Sequence, residues 1–290
     1  MSTLKTISSY FSLVKFSHTL FALPFAMIGY TLAVKITGNY FDIKKLLLVL
    51  ACMVTARSAA MAFNRYIDKE FDVKNPRTAT REIPAGVISA NSALFFVLIS
   101  SALFVVATGF INSLCLYLSP VALLVILGYS YTKRFTALCH VVLGIGLSLA
   151  PIGAYLAVTG KFDLLPLLFS FAVLFWVSGF DIIYALQDHS FDKSNKLFSI
   201  PTWLGLNKAL MLSKLFHFVT TFFIGYAGIY GSFGMVYWIG AAMFIGLLVY
   251  QHSLVKPHDL SKVTLAFATT NGVASILFAT FTIVDLIISK

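Results

Sequence analysis

Apolar segments of about 20 residues alternate with short polar segments along the whole 290-residue chain. A helix of that length crosses the hydrocarbon core of a bilayer, which is roughly 30 Å thick. Since backbone polar groups in lipid must be satisfied within the segment, each apolar segment predicts a transmembrane helix. The pattern therefore predicts an all-α polytopic membrane protein, with nine transmembrane helices in one bundle and a single domain over residues 1–290. The predicted spans are 17–36, 44–66, 91–111, 114–131, 138–158, 164–187, 208–230, 234–252 and 264–287.

The composition excludes a soluble domain. Hydrophobic residues make up 59% of the chain and charged residues only 11%, and the mean hydropathy is +0.90. The formal net charge of +10 is compatible with nucleic-acid binding, but in a membrane protein an excess of bases more often reports topology. The distribution of the bases along the chain decides between these two interpretations.

The bases are concentrated on one side of the predicted membrane. If the N-terminus is cytoplasmic, five bases lie outside, namely Lys35, Lys44, Lys45, Lys161 and Lys290, and Arg57 lies within the second span. The fifteen others are cytoplasmic: Lys5, Lys15, Arg65, Lys69, Lys74, Arg77, Arg81, Lys133, Arg134, Lys193, Lys196, Lys208, Lys214, Lys256 and Lys262. This threefold bias predicts a cytoplasmic N-terminus and an external C-terminus. We therefore expect the lipid bilayer, and not a nucleic acid, to be the partner of the basic surface.

The second span runs directly into a charged stretch, residues 64–81, which holds three acids and five bases. If the helix continues into it, Asn64, Asp68 and Asp72 lie at positions i, i+4 and i+8 and share one face. Three oxygen-bearing side chains on one face are suited to a hard divalent cation. A solvated loop that only marks the membrane edge is the alternative, and this stretch alone does not decide between them.

A second acidic cluster ends the sixth span. Asp181, Tyr184, Asp188 and Asp192 lie at i, i+3, i+7 and i+11, which predicts another single helical stripe. Asp181 is expected about a turn inside the membrane edge, where an unpaired carboxylate is costly, so it should face a polar cavity. Both clusters end a helix on the predicted cytoplasmic side.

Two acidic clusters on one side make a metal site the stronger interpretation. Close aspartates repel one another unless cations neutralise them. Magnesium fits best, because it prefers oxygen ligands and commonly shares them with substrate phosphates. Nearby bases can bind diphosphate oxygens, and these are Arg77, Arg81, Lys133 and Arg134. Together the residues suggest a lipid diphosphate bound at the membrane edge.

These motifs resemble those of the UbiA-type intramembrane aromatic prenyltransferases. The family's first motif, Asn-Asp-x-x-Asp-x-x-x-Asp, is present as Asn64-Arg65-x-x-Asp68-x-x-x-Asp72, and residues 75–86 match the sequence that follows it. The second motif, Asp-x-x-Tyr-x-x-x-Asp-x-x-x-Asp, matches residues 181–192. Residues 129–136 resemble the loop between the family's fourth and fifth helices. The likeness extends over essentially the whole chain.

One position departs from the family pattern, because Arg65 stands where the second acid is expected. Arg65 is about 100° around the helix from Asn64, so the stripe of Asn64, Asp68 and Asp72 is preserved. With Arg65 at this position, the motif resembles that of the subgroup related to 4-hydroxybenzoate polyprenyltransferase. That resemblance implies a 4-hydroxybenzoate-type acceptor in respiratory quinone synthesis, with a dihydroxynaphthoate on a menaquinone route as the alternative.

The resemblance implies roles for the individual residues. Magnesium is expected on Asn64, Asp68 and Asp72 and on Asp188 and Asp192, bridging a polyprenyl diphosphate in a bacterial inner membrane. Bases at 77, 81, 133 and 134 would neutralise the leaving diphosphate, and Asp181 would contact substrate. Tyr184 would steady the allylic cation through its π face or hydrogen-bond Asp188. Arg57 would bind an acceptor carboxylate or form a structural ion pair with Asp181.

Two other classes of protein also carry intramembrane acids. A cation-coupled transporter uses them in ion pathways, but here the acids cluster at one edge and no repeat of broken helices is evident. A phosphoalcohol transferase would place Gly and Ala-Arg within one aspartate array, a pattern that this sequence lacks. The acceptor, the prenyl length and the oligomeric state are left open by the sequence.

Overall fold

The computed structural model describes residues 3–14, 21–38 and 41–289 and is helical throughout. Within those ranges there is no β-strand, and Lys256 and Asp259 form an isolated β-bridge. A 3-10 turn (Leu186–Asp188) and a π-helical turn (Leu265–Thr270) interrupt the series of α-helices. The α-helices are α1 (Thr3–Leu13), α2 (Leu23–Thr37), α3 (Ile43–Lys74), α4 (Ala90–Ile111), α5 (Ser113–Thr132), α6 (Cys139–Thr159), α7 (Leu164–Ala185), α8 (His189–Ser194), α9 (Ile200–Tyr230), α10 (Met235–Leu254) and α11 (Asn271–Ile288).

The all-α membrane architecture agrees with the sequence prediction. In the described part of the chain, eight helical segments are long and apolar enough to cross a membrane. The remaining predicted span, 17–36, overlaps the shorter apolar helix α2, and residues 15–20 lie outside the described ranges. Nine spans and a cytoplasmic N-terminus therefore stay predictions. Two of the bases used to predict the topology, Lys15 and Lys290, are also outside the described residues.

Helices α3 and α9 extend beyond their predicted spans. Helix α3 is a single helix of 32 residues. The first polar motif, Asn64 to Asp72, therefore lies on the same continuous helix as the predicted second span. Helix α9 begins at Ile200, eight residues before the predicted start, because Ser199 and Thr202 form a capping box there. Gly205, with φ of 75°, then breaks the helical geometry near the predicted boundary.

The chain divides into two compact units. The first contains the described residues within 1–19 and 47–131, and the second those within 20–46 and 132–290. In the first unit, Leu13 is buried among Ala62, Ile88, Ala93 and Val97. This cluster packs α1 and the loop after α3 against α3 and α4.

The core of the second unit is aromatic and surrounds α7, the most buried of the candidate spans. Trp176 is fully buried, and its ring packs on Phe25 and Phe244. Its indole N–H donates to Asn271 Oδ1 at 2.9 Å, which satisfies the polar end of the side chain. Helix α7, which carries Asp181 and Tyr184 of the second acidic motif, is therefore packed into this core.

Candidate active site

The unbroken helix α3 arranges the first motif as the sequence predicts. Asn64 and Asp68 lie one turn apart, and the Asn64 amide Nδ2 donates to Asp68 Oδ2 at 3.0 Å. This bond joins the two side chains on one face of the helix. Asp72 continues the stripe in the last turn of α3.

Asp72 is buried and ion-paired with Arg81. Arg81 Nη1 lies 2.7 Å from Asp72 Oδ1 and 2.9 Å from Oδ2. The loop that brings Arg81 back is folded by short-range bonds: Asn75 Oδ1 accepts from the Arg77 amide at 3.0 Å, and the Thr78 hydroxyl donates to the Asp72 carbonyl at 3.1 Å. Arg81 thus contacts the last acid of the motif directly, while Arg77 is exposed at the surface of the loop. The binding of diphosphate by these two bases stays a prediction.

Arg65 and Arg57 carry buried guanidinium nitrogens on α3. Arg65 is only 4% exposed, and its position off the stripe leaves Asn64, Asp68 and Asp72 together, as expected. The Nε atoms of Arg57 and Arg65 are both buried without a hydrogen-bond partner among the described residues. Unsatisfied donors of this kind are rare in proteins and mark a place where an anionic ligand would be stabilised.

The second motif differs from the prediction in its backbone. One continuous helical stripe was expected over 181–192, but α7 ends at Ala185, a 3-10 turn follows, and α8 carries Asp192. The single-helix prediction is therefore wrong at residues 186–188. The two acids that follow the end of α7 are buried: Asp188, the last residue of the 3-10 turn, is 8% exposed and Asp192 is 0% exposed.

Asp192 pairs with Lys133, which comes from the loop after α5. Lys133 Nζ lies 2.8 Å from Asp192 Oδ1, and the Lys133 carbonyl accepts a hydrogen bond from the Phe198 amide at 2.8 Å. Burial alone would lower the pKa of Lys133, but the charge of Asp192 and the contact with it raise that pKa above its ordinary value. Lys133 is therefore positively charged at neutral pH, and Arg134 beside it is half-buried.

The donor set suits magnesium but is incomplete without substrate. The Asp192 carboxylate is buried and in contact with Lys133, and carboxylate oxygens are among the ligands that magnesium prefers. Across residues 3–14, 21–38 and 41–289, no three His, Cys, Asp or Glu side chains form a group that could hold a metal. A magnesium ion would therefore need further oxygens, which water and phosphate commonly supply.

Asp181 has a partner that sequence reasoning missed. The His140 ring atom Nδ1 lies 2.7 Å from Asp181 Oδ2, and His140 is 2% exposed near the start of α6. The two residues are 41 positions apart, so no spacing rule joins them. Tyr184, one turn further along α7, places its ring centroid 4.2 Å from that of Phe267, and both roles predicted for Tyr184 are untested.

Comparison with known proteins identifies relatives that match about four-fifths of this chain and of their own length. The model of the UbiA prenyltransferase family matches residues 22–280. A 4-hydroxybenzoate octaprenyltransferase of Tolumonas auensis is 32% identical over 234 residues, covering 81% of this chain and 82% of the relative. The enzyme of that name from Nitrosospira multiformis is 31% identical, with 81% and 80% covered.

Solved structures show the same fold. The apo structure of a UbiA homolog from Aeropyrum pernix has a TM-score of 0.83 at 31% identity and covers 92% of this chain and 98% of its own. A UbiA homolog from Archaeoglobus fulgidus bound to DMAPP and Mg2+ has a TM-score of 0.77 at 19% identity, covering 97% and 99%. At that identity the second likeness concerns the fold alone.

Proposed function

Because this chain belongs to the UbiA prenyltransferase family, we propose that it transfers a polyprenyl group from a polyprenyl diphosphate to a hydroxylated aromatic acid of the 4-hydroxybenzoate type. The proposed setting is respiratory quinone biosynthesis in a bacterial inner membrane, with the active site toward the cytoplasm. The names of the relatives support the acceptor, since those 31–32% identical over four-fifths of the chain are called 4-hydroxybenzoate octaprenyltransferases. The proposed catalytic domain is the whole of residues 1–290.

One observation carries this proposal: each acidic motif has a basic residue on its last carboxylate. Arg81 contacts Asp72 and Lys133 contacts Asp192, at 2.7 and 2.8 Å. Carboxylates bind magnesium, and basic side chains bind phosphate oxygens. The two kinds of side chain together can therefore bind a magnesium diphosphate.

We assign the metal and phosphate contacts accordingly. Asn64, Asp68 and Asp72 would hold one magnesium ion, and Asp188 and Asp192 another. The ions, when bound, supply electrostatic stabilisation of the departing diphosphate. The bases bind the diphosphate oxygens and lower the barrier to its departure, and these are Arg77, Arg81, Lys133 and Arg134.

The proposed reaction is an electrophilic substitution on the aromatic ring. The allylic C–O bond of the prenyl diphosphate breaks, and its electron pair leaves with the diphosphate. An electron pair of the ring then forms the new carbon–carbon bond, and loss of the ring proton to a base restores aromaticity. Arg57 would bind the acceptor carboxylate in a fork, and the π face of Tyr184 would stabilise positive charge on the prenyl group.

The test is prenyl transfer by purified protein in lipid with magnesium, a polyprenyl diphosphate and 4-hydroxybenzoate. Asp68→Asn and Asp188→Asn should each lower kcat by about 100-fold or more, the cost of removing a main electrostatic element of a site. Asp259→Asn is the matched control, because Asp259 lies in an exposed turn outside both motifs. Full activity of both motif variants would contradict the metal assignment.

Parallel assays separate the alternatives. A dihydroxynaphthoate as the better acceptor would redirect the proposal to menaquinone synthesis. If no hydroxylated aromatic acid reacts, while sodium or proton gradients drive the uptake of a solute by proteoliposomes, the transporter hypothesis replaces the prenyltransferase proposal.

A further inference from the structure

His140 lies between Asp181 and the beginning of α9. Its Nδ1 atom is 2.7 Å from Asp181 Oδ2, and its Nε2 atom is 3.2 Å from the Ile200 backbone nitrogen. The ring is almost completely buried. Both ring nitrogens are therefore engaged, and the imidazole is fixed at each end.

The Ile200 contact determines which nitrogen carries the proton. A backbone amide can only donate, so Nε2 must be the acceptor. The proton of the neutral ring then sits on Nδ1 and is donated to the Asp181 carboxylate. Ile200 opens α9, so its amide is one of the donors that have no partner inside the helix. The positive end of the helix dipole also favours a neutral ring there.

The second oxygen of Asp181 is available to a ligand. In the described part of the chain, nothing donates a hydrogen bond to Oδ1, and the side chain is 22% exposed. Asp188 and Asp192 are more deeply buried than this.

We propose that His140 positions Asp181 so that its free oxygen accepts a hydrogen bond from the hydroxyl group of the aromatic acceptor. This inference rests on the proposed function. Of the two substrates, the diphosphate and the acceptor carboxylate are anions that only accept hydrogen bonds, and the prenyl chain is apolar. The phenolic O–H is the one donor that either substrate offers to a carboxylate.

The proposed contact fits the chemistry of the ring. A hydrogen bond from O–H to a carboxylate raises the electron density of the phenol, most of all at the carbons ortho and para to oxygen. It also fixes the ring against rotation, so that one ortho carbon is presented to the prenyl group. His140 is therefore a positioning residue, since it touches Asp181 and not the substrate.

The experiment measures the KM of each substrate separately for His140→Ala and His140→Gln. His140→Ala should raise the KM for 4-hydroxybenzoate about 10- to 100-fold, the equivalent of one hydrogen bond to a charged group. The KM for the prenyl diphosphate should not change. His140→Gln should restore most of the acceptor KM, because an amide can accept from Ile200 and donate to Asp181.

Benzoate, which lacks the hydroxyl group, supplies a readout that a purely structural role would not give. Its inhibition constant should be the same for the wild type and His140→Ala, whereas 4-hydroxybenzoate should lose affinity. His217→Gln is the matched control: His217 is also a buried histidine of the second unit, bonded to the Trp176 carbonyl and His252. Its effects on the two substrates should be equal.

The inference is overturned if His140→Ala weakens both substrates and benzoate alike, or if folded His140→Gln is as impaired as His140→Ala. These outcomes would make His140 a structural residue only. They differ from failure of the proposed function, in which the wild-type protein itself prenylates no hydroxylated aromatic acid.

Discussion

The buried carboxylates at the ends of both motifs are individually balanced by bases. Asp72 is paired with Arg81 and Asp192 with Lys133. Removing one partner of a buried pair leaves an uncompensated charge, which costs far more than the intact pair contributes. These bases therefore stabilise the protein as well as serving the proposed diphosphate site.

Lys133→Met should lower the free energy of unfolding by about 2–4 kcal/mol, somewhat less than for a fully buried pair because Lys133 is partly exposed. The double variant Lys133→Met/Asp192→Asn should recover most of that loss, since no buried charge remains. Unfolding in detergent micelles measures both. Lys193→Met, an exposed lysine next to Asp192, is the control and should be neutral.

Arg81→Lys should be nearly as stable as the wild type, whereas Arg81→Met should lose about 1–3 kcal/mol. A single nitrogen, Nη1, contacts both oxygens of Asp72, so a lysine ammonium can replace it. The same unfolding assay tests this. Equal losses for the two variants would show that the pair depends on guanidinium geometry.

At the scale of single residues, the sequence predicts the arrangements that depend on helical spacing, but it does not predict the contacts between residues distant in the chain. Asn64, Asp68 and Asp72 share a face because the helical period alone places them there. The contact of Lys133 with Asp192 joins residues 59 positions apart, and the sequence indicated only that both carry suitable charges. His140 gave no signal at all, because a single histidine in an apolar segment is usually a packing residue.

Helices α2 and α6 touch through their backbones. A Cβ atom added at Gly29 would lie 2.1 Å from the Pro151 carbonyl oxygen. In a membrane, helices associate largely through such close packing, which only small residues allow. Gly29 therefore sets the distance between the two helices.

Gly29→Ala should destabilise the protein by about 1–3 kcal/mol, because backbone atoms must move apart. Gly153→Ala, on α6, meets nothing within 4 Å and should be neutral or stabilising by up to about 1 kcal/mol through helix propensity. Comparing the two variants in one thermal unfolding series isolates the effect on stability of the close contact between α2 and α6. Tolerance of Gly29→Ala would mean that the helices separate freely.

The sequence predicts the type of the secondary-structure elements, but not the local breaks within them. Apolar length identifies the long helices, because the bilayer imposes it. The 3-10 turn at Leu186–Asp188 was not predictable, since residues 181–192 contain neither Gly nor Pro. After the turn, Asp192 contacts Lys133 from a distant part of the chain, and its carbonyl accepts a hydrogen bond from the Leu197 amide.

At the scale of the molecule, orientation in the membrane is the main prediction still to be tested. In a background without Cys52, Cys115 and Cys139, Lys161→Cys should react with an impermeant maleimide in intact spheroplasts. Ser194→Cys should react only after lysis, because the positive-inside bias puts that loop in the cytoplasm. Both positions are exposed, so access to the side chain does not limit labelling. The reverse labelling pattern would show that the topology is opposite to the predicted one.

The pairing of Asp72 with Arg81 and of Asp192 with Lys133 has a practical consequence for handling the protein. Since these acids keep a positive partner when no metal is bound, chelation should inactivate the enzyme without unfolding it. Treatment with EDTA should abolish prenyl transfer, leave the melting temperature unchanged, and be fully reversed by adding magnesium. Aggregation on chelation would contradict this expectation. The metal-free protein should therefore be storable, and magnesium can be added back at the start of an assay.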